Sequence, residues 1–344
     1  MIAALESQPE IPSKKQEVSS LLTERIHTPQ DAARIIRDGG LVAFPTETVF
    51  GLGVDATNTD AVKKLFTAKG RPSNNPLIVH INDQQDWSLA ASEMTRHADA
   101  LLTAFAPGPI TVVLPKLAKI SHLVSAGLNT VGLRIPSHPI AREIFRLAKV
   151  PVAAPSANRS GKPSSTTWQS AFEDLNGRVD AVYCEDSTSI GIESTVVHCC
   201  GPFPVILRPG AITLEQVQQI VPEAKEMASC VAHDEPSATD AVSSPGILHP
   251  HYQPDAEIHL LEKPTSELIT PNAGSAYCGL DRFEGIEQLP LSNTFETVED
   301  YAAGFYEFLR QADRNSISRI FVQTAPAHGI GRALLDRQRR AAGG

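Results

Sequence analysis

Short apolar runs alternate with helical segments from residue 32 to residue 210, and most runs empty into loops of Gly, Pro, Ser, Thr and Asn. That alternation confines the chain to a sheet with helices packed against it, because such strands must be covered to bury their apolar side chains. The runs are LVAF (41–44), PLIVHI (76–81), ITVVLP (110–115), TVGLRIP (130–136), VPVAAPSAN (150–158), DAVYC (180–184), STVVHC (194–199) and PVILRPG (204–210). Between them, residues 32–37 read as a helix stopped at Gly39-Gly40. Thr59 reads as the cap of a second helix, AVKKLFTAK, broken at Gly70 and Pro72, and residues 140–147 as a third.

The pattern changes after residue 220. Residues 221–255 are rich in Pro, Ser, Ala and acid, and SSPGILHPHYQP has the punctuation of an extended linker. A shorter α/β pattern follows: EIHLL (257–261), SAYCG (275–279), a helix across 298–309, IFVQ (320–323) and a last helix ending DRQRR. At roughly 100–200 residues per domain, 344 residues fit two domains. The expected division is a flexible tail (1–25), a first domain (26–220), a linker (221–255) and a second domain (256–344). No repeat of 20–50 residues is apparent, which disfavours a solenoid.

Composition excludes several classes. No apolar run approaches the ~20 residues needed to span a bilayer. The opening MIAALESQPEIPSKKQEV lacks the order of a secretory signal, so a cytoplasmic protein with no membrane contact is expected. Net charge is -9, from 30 Lys+Arg and 39 Asp+Glu, which argues against a protein that coats nucleic acid. The excess is local: residues 1–211 hold 20 of each sign, and residues 212–344 hold 10 basic and 19 acidic. The five cysteines (Cys184, Cys199, Cys200, Cys230, Cys278) show no C-x-x-C spacing, against a disulfide framework or a structural zinc. Cys184 and Cys199 read as small buried hydrophobes, and His249-x-His251 lacks a third ligand.

Four loops gather the polar residues, and open α/β sheets bind ligands at strand carboxyl ends. PTETVFGLG (45–53) brings hydroxyls and glycines, or forms an ordinary Gly-rich turn. In KGRPSNNP (69–76), Lys69 and Arg71 straddle a glycine at a helix end. They are either a solvated cap or the point charge and planar fork suited to phosphate oxygens. APSANRSGKPSS (154–165) offers neutral donors and acceptors, though Ser and Asn commonly bond their own backbone. GIESTVV (191–197) and LRPG (207–210) place Ser194 and Arg208 at strand ends. The chain has no P-loop, no G-x-S-x-G elbow and no H-E-x-x-H, so the inventory suits transfer chemistry by positioning and charge stabilisation.

In this order, PTETVFGLG, AKGRPSNNPLIVHI, PGPITVVL, VGLRIPSHP and APSANRSGKPS resemble the YrdC/Sua5 family, the threonylcarbamoyl-AMP synthases. SPGILHPHYQP and GIGRALLDRQRRAA resemble its two-domain Sua5 branch. The resemblance implies a YrdC-like twisted mixed sheet with flanking helices, joined by the linker to a smaller C-terminal α/β, Rossmann-like domain. It implies a nucleotidyltransferase that makes L-threonylcarbamoyl-adenylate and pyrophosphate from L-threonine, bicarbonate and ATP, with Mg2+ on the phosphates. A downstream threonylcarbamoyl-transferase complex would carry the group to adenosine 37 of tRNAs reading ANN codons, with at most a weak tRNA contact here. By the same resemblance Thr48, His80, Arg134 and Ser194 bind threonine, with Arg134 on its carboxylate. Lys69, Arg71, Asn75, Thr130, Ser156, Asn158, Ser164, Arg208 and Tyr252 bind ATP, and Lys69 and Arg71 neutralise the departing pyrophosphate. No metal-ligating residue is implied.

Two departures stand out. Phe50 occupies a position where the family usually has Tyr, and GILHPHYQP lacks the Met and the basic residue usual ahead of His-Tyr. Tyr252 is either part of a lid or an aromatic that pins the linker. One alternative is a non-catalytic RNA-binding or regulatory member of the superfamily, and Lys69, Arg71, Ser156 and Asn158 are the discriminating set. Another is a carbamoyl-transfer enzyme of the hydrogenase-maturation type, which predicts acylphosphatase and zinc-finger modules that the sequence lacks.

Overall fold

Runs of Val, Ile, Leu and Ala form two sheets in the computed structural model, which describes residues 22–185, 188–227, 251–269 and 271–343. The strands of the first sheet are β1 (Glu24–Ile26), β2 (Val42–Phe44), β3 (Gly51–Asp55), β4 (Ile78–His80), β5 (Ile110–Pro115), β6 (Thr130–Arg134), β7 (Val152–Ala153), β8 (Ala181–Tyr183), β9 (Thr195–His198), β10 (Val205–Arg208) and β11 (Lys225–Glu226). Among the described residues they lie in the order β1-β8-β2-β3-β7-β4-β6-β5-β9-β10-β11. The sheet is mixed: β4 runs parallel to β6, whereas β5 runs antiparallel to β6 and β7 antiparallel to both β3 and β4.

The helices are α1 (Pro29–Arg37), α2 (Thr59–Lys69), α3 (Arg96–Phe105), α4 (Pro139–Ala148), α5 (Trp168–Leu175) and α6 (Leu214–Ile220). Strand side chains alternate between faces. Val79, Val112, Val131, Leu133 and Val197 point to one face and pack with Leu65 of α2 and with Leu101 and Leu102 of α3. The other face is covered only in part. Ile35 and Ile36 of α1 and Ile144 and Phe145 of α4 sit over Val42, Phe44 and Val152. The residues between those in β4 and β6, namely Ile78, His80, Gly132 and Arg134, therefore floor an uncovered stretch of sheet.

The second sheet comprises β12 (Glu257–Leu261), β13 (Ser275–Gly279), β14 (Leu291–Thr294) and β15 (Arg319–Gln323), in the order β12-β15-β13-β14 and parallel throughout. With α7 (Val298–Arg314) and α8 (Ile330–Ala341), it makes a small Rossmann-like layer. The apolar face of α7 packs on this sheet, and its Phe305 and Tyr306 join Val49, Ile192 and Tyr252 in one shared core. Arg310 of α7 adds a buried ion pair with Asp174, at 2.9 Å, and reaches the Pro163 carbonyl. Among the described residues no helix is long and apolar enough to cross a membrane.

Several expectations need correction. Asn58, not Thr59, caps α2, accepting from the Ala61 amide at 3.1 Å, while the Thr59 hydroxyl donates to Ser121. Glu24 and Arg25 of the expected tail join Ile26 in pairing with β8, and Lys225–Glu226 of the expected linker pairs with β10. Residues 1–21 and 228–250, with Cys230 and His249, lie outside the described residues. Gly51–Asp55 turns back as a strand antiparallel to β2, so the loop read over 45–53 is shorter than expected. Phe50 is buried in the core beneath the sheet, so its missing hydroxyl has no bearing on the uncovered face.

Gly191 fixes how closely the two parts approach. At φ +75° it lies so near α7 that an added Cβ would meet the Ala303 Cα at 2.4 Å. Gly191→Ala is expected to destabilise the protein by about 1–3 kcal/mol through overpacking. Gly127→Ala, at φ +83° with nothing within 4 Å, should cost no more than roughly 1–2 kcal/mol of backbone strain. Urea unfolding of the two variants checks the order, and equal losses would contradict the close approach.

Candidate active site

The polar loops converge on the uncovered face of the first sheet, around a cleft of about 730 Å³ including its open mouth. Strand carboxyl ends form only part of it: β7 runs antiparallel to β4, so residues 154–158, after the carboxyl end of β7, lie beside the amino end of β4.

One end is built by parallel neighbours. Pairing of β4 with β6 sets His80 opposite Arg134, and pairing of β5 with β6 sets Thr111 opposite Arg134. The loop after β2 is cinched by the Thr46 hydroxyl, which donates to the Val49 carbonyl at 2.6 Å. It delivers Glu47 and Thr48 to Arg134, whose Nη2 donates to Glu47 Oε1 at 2.8 Å and to Thr48 Oγ1 at 2.9 Å. Ser194, just before β9, shares a hydrogen bond of 2.8 Å with Thr111. His80 is buried against Phe145, and burial together with the Arg134 charge pushes its pKa down to about 3. It is therefore a neutral imidazole at ordinary pH.

Cations dominate the other end. Gly70 closes α2 at φ 63°, a left-handed cap that glycine adopts without strain, and leaves Lys69 and Arg71 on either side of the helix end. The Lys69 ammonium donates to the carbonyls of Ser156, at 2.6 Å, and Asn158. Burial, with the Arg71 charge adding to it, holds its pKa well below the ordinary lysine range. Arg71 donates to the Pro76 carbonyl at 3.0 Å and the Asn75 carbonyl at 3.4 Å, and burial brings its pKa to about 10. Arg208 stands where β10 shifts register against β9, a bulge of the kind that re-aims a side chain. Its Nη2 donates to the Ser194 carbonyl at 3.0 Å and hydroxyl at 3.3 Å.

Tyr252 lies over this end at φ 68°, a strained value for an aromatic residue. Only 5% exposed, it packs on Tyr306 at 5.1 Å between ring centroids and lies 5.9 Å from the Arg337 guanidinium. It both lines the cleft and pins its segment to the second domain. The cleft thus gathers Thr48, His80, Arg134, Ser194, Lys69, Arg71, Ser156, Asn158, Arg208 and Tyr252.

Three expected residues stand apart from its lining. The Asn75 amide flanks the cleft, 3.4 Å from His251 Nε2. Ser164 is wholly buried and donates to Glu193 at 2.7 Å. Thr130 shares the strand face of Arg134 but lies four residues away, roughly 13 Å along β6. Sequence reasoning missed Glu47, the acid that holds Arg134, and Glu193, which lines the cleft. It also singled out nothing in DRQRR, where Arg337 is fully buried, 3.0 Å from Glu193. The acid beside Thr48 in PTET was the available clue to the first. The others need the two domains brought together.

Among the described residues, five buried polar atoms around the cleft have no hydrogen-bond partner: Glu47 Oε2, Asn75 Oδ1, His80 Nδ1, Arg134 Nε and Asn158 Oδ1. Buried polar groups are normally paired, so such a cluster marks a place where a ligand completes the bonding. Among the described residues no three His, Cys, Asp or Glu side chains converge to hold a metal ion. Cys199 is buried, and its thiol pKa is pushed far up, which suits a core residue and not a nucleophile.

A cationic cleft on a mixed sheet, capped by a second α/β layer, has the chemistry to suit a small polyanion with a carboxylate beside it. Residues 34–210 match the Sua5/YciO/YrdC family model, described as "Telomere recombination", and residues 212–343 match the model described as "Threonylcarbamoyl-AMP synthase, C-terminal domain". A threonylcarbamoyl-AMP synthase of Pyrococcus abyssi (strain GE5 / Orsay) is 37% identical over 323 residues, covering 91% of this chain and 93% of the relative. One from Bacillus subtilis (strain 168) is 39% identical over 332 residues, covering 91% and 92%. The crystal structure of P. abyssi Sua5 complexed with L-threonine is similar at a TM-score of 0.83 and 36% identity, over 94% of this chain and 96% of that one. The chain belongs to the YrdC/Sua5 family of threonylcarbamoyl-AMP synthases, in its two-domain form.

The low pKa of His80 has a measurable consequence. Above pH 6.5 the folded and unfolded chains both hold it neutral, so its contribution to stability is full there. Below that value the unfolded chain takes up a proton and the folded one resists until about pH 3, so stability falls across this window. His80→Asn should lose less stability than the wild type between pH 7 and pH 5 in urea unfolding. Identical losses would show that His80 is not kept neutral by burial.

Proposed function

We propose that this protein condenses L-threonine, bicarbonate and ATP into L-threonylcarbamoyl-adenylate and pyrophosphate. The observation that carries the proposal is the convergence of Lys69, Arg71 and Arg208 at one end of the cleft with Arg134 at the other. The likeness to the threonine complex of P. abyssi Sua5 supports it. Threonine binds at the Arg134 end. Its carboxylate pairs with the Arg134 guanidinium, and its polar groups bond Thr48 and Ser194, whose hydroxyls are fixed by Arg134, Thr111 and Arg208. His80, neutral and with Nδ1 unpartnered, offers a bond that adds no charge.

The triphosphate lies over Lys69, Arg71 and Arg208, with Ser156, Asn158 and Tyr252 around it, and Asn75, Ser164 and Thr130 set the pocket's edges. Threonine's amine takes up the carbon of bicarbonate with loss of water, giving a carbamate. A carbamate oxygen then attacks the α-phosphorus, and the bond to pyrophosphate breaks. Negative charge grows on the departing pyrophosphate, where Lys69 and Arg71 stabilise it without having to reorganise. Their desolvation strengthens that interaction, since charge is weakly screened away from water. Magnesium enters on the nucleotide's phosphates as part of the substrate; the cleft's phosphate end offers cations and amides, not a carboxylate cage.

The first part of the chain, taken as residues 26–220, carries the chemistry. Tyr252 covers the phosphate end of its cleft, and Tyr306 of the second domain holds that ring in place. A partner complex consumes the adenylate by moving its threonylcarbamoyl group to adenosine 37 of ANN-decoding tRNAs, and tRNA touches this protein weakly at most. Lys69, Arg71, Ser156 and Asn158 turn into a cleft and not onto an open surface, which disfavours the RNA-binding alternative.

Arg71→Ala should lower pyrophosphate release that depends on both threonine and bicarbonate by roughly 10²–10³-fold, with the melting temperature little changed. Near-normal turnover would remove the phosphate-site assignment. Release independent of threonine would contradict the proposed reaction.

A further inference from the structure

Arg337 projects from α8 of the second domain and is fully buried, with each guanidinium nitrogen engaged. Nε donates to Glu193 Oε2 at 3.0 Å, Nη1 to Asp336 at 2.6 Å, and Nη2 to the Pro209 carbonyl at 2.9 Å. Its Cζ lies 5.9 Å from the Tyr252 ring centroid. These contacts touch the cleft at several points. Glu193 lines the cleft, accepts from Ser164 at 2.7 Å and from Tyr306 at 3.1 Å, and precedes Ser194 in the chain. Pro209 follows Arg208, and Tyr252 forms the cover.

Glu193 explains why an arginine is needed. Burial alone would raise its pKa, but Arg337, Arg208 and the Ser164 hydroxyl together hold it below the usual carboxylate range. Glu193 is therefore a buried anion beside a proposed phosphate-binding cation. An uncompensated carboxylate there would compete with ATP for Arg208 and repel the triphosphate. Arg337 answers that anion from outside the first domain, and its planar fork also holds the Pro209 carbonyl, which a lysine cannot do at the same time.

We propose that Arg337 is a positioning residue through which the second domain sets the ATP site, by neutralising Glu193 and fixing the backbone after Arg208 and the ring of Tyr252. The proposal rests on the adenylate-forming function proposed above. The second domain thereby acts on nucleotide affinity as well as on stability. Threonine affinity is left nearly unchanged, because Arg337 makes no direct contact with Thr48, Arg134 or His80.

The test compares variants of two arginines on one helix. Arg332 of α8 also reaches the first domain, bonding Glu226 at 2.5 Å, but its contacts lie away from the cleft. In the full-length protein, Arg337→Met should raise the KM for ATP on the order of tenfold or more, a typical size for coupling between sites. The KM for threonine should stay within about twofold. Arg337→Lys should recover only part of the loss, because it restores the charge without the fork. Arg332→Met should cost a similar or smaller amount of thermal stability and leave the KM for ATP unchanged.

Glu193→Gln in the Arg337→Met background should relieve part of the defect, since no buried anion is then left unmatched. If Arg337→Met and Arg332→Met raise the KM for ATP equally, or if Arg337→Met raises both substrates' KM values together, the role is domain docking alone and the proposal fails. Should Arg337→Met not fold, the KM for ATP of Arg337→Lys decides: a wild-type value overturns the proposal. Absence of threonine-dependent pyrophosphate release in the wild type would instead refute the underlying function.

Discussion

Four cationic side chains, three buried and one half-buried, govern the arrangement of everything around them. Lys69, Arg71, Arg134 and Arg208 are drawn to one sheet face, and burying each such ion without compensation costs several kcal/mol. The protein offsets part of this cost with backbone carbonyls: Ser156 and Asn158 for Lys69, Asn75 and Pro76 for Arg71, and Ser194 for Arg208. Those carbonyls belong to loops stiffened by proline and by side-chain hydrogen bonds, so the oxygens stay in place. Among the described residues Asp174 acts on Lys69 through space, and two further acids sit closer to the other cations. Glu47 answers Arg134, and Glu193 is largely matched by Arg337 from the second domain. Cationic charge therefore remains in excess at the proposed phosphate end, which a polyanion would balance.

The mixed topology separates two tasks. Parallel pairing of β4 with β6 sets His80 and Arg134 side by side at one end, while the antiparallel strand β7 carries residues 154–158 to the other. Ser194 stands between the ends, bonded to Thr111 on one side and to Arg208 on the other. On the proposed function, this scaffold would hold an amino acid and a nucleotide in a fixed relation, which is what a reaction driven by positioning requires. Among the described residues the second domain adds none to the proposed threonine end. Its Tyr306 and Arg337 hold Glu193 and Tyr252, so its contribution falls on the nucleotide side.

Much of this was legible in the sequence because it is local. Apolar runs mark the buried strands, and the glycine after Lys69 marks the end of α2. The motif order carried the family, and most of the proposed residues do line one cleft. What escaped depends on distant pairing. β1 and β11 are two or three residues long, and partner strands far along the chain define them, not their own periodicity. Asn58 and Thr59 are both good caps, and a tertiary bond from Thr59 to Ser121 leaves Asn58 as the one used. Arg208 owes its aim to a register shift that no propensity announces. Arg337 reads as one more basic residue in DRQRR, and only docking of α8 on the first domain reveals it as a buried partner of Glu193. The acidity of the whole chain misleads for the same reason: the net of -9 belongs to the half that carries none of the proposed phosphate-binding cations.

The central claim is that this cleft joins threonine to an adenylate through a carboxyl unit from bicarbonate. It is tested most directly by incubating the purified protein with ATP, bicarbonate and carbon-labelled threonine, then separating nucleotides by chromatography. The account predicts label in a new adenylate species that appears only when all three substrates are present and that accumulates together with pyrophosphate. Label that stays in free threonine while ATP is consumed, or an adenylate that forms without bicarbonate, would contradict it.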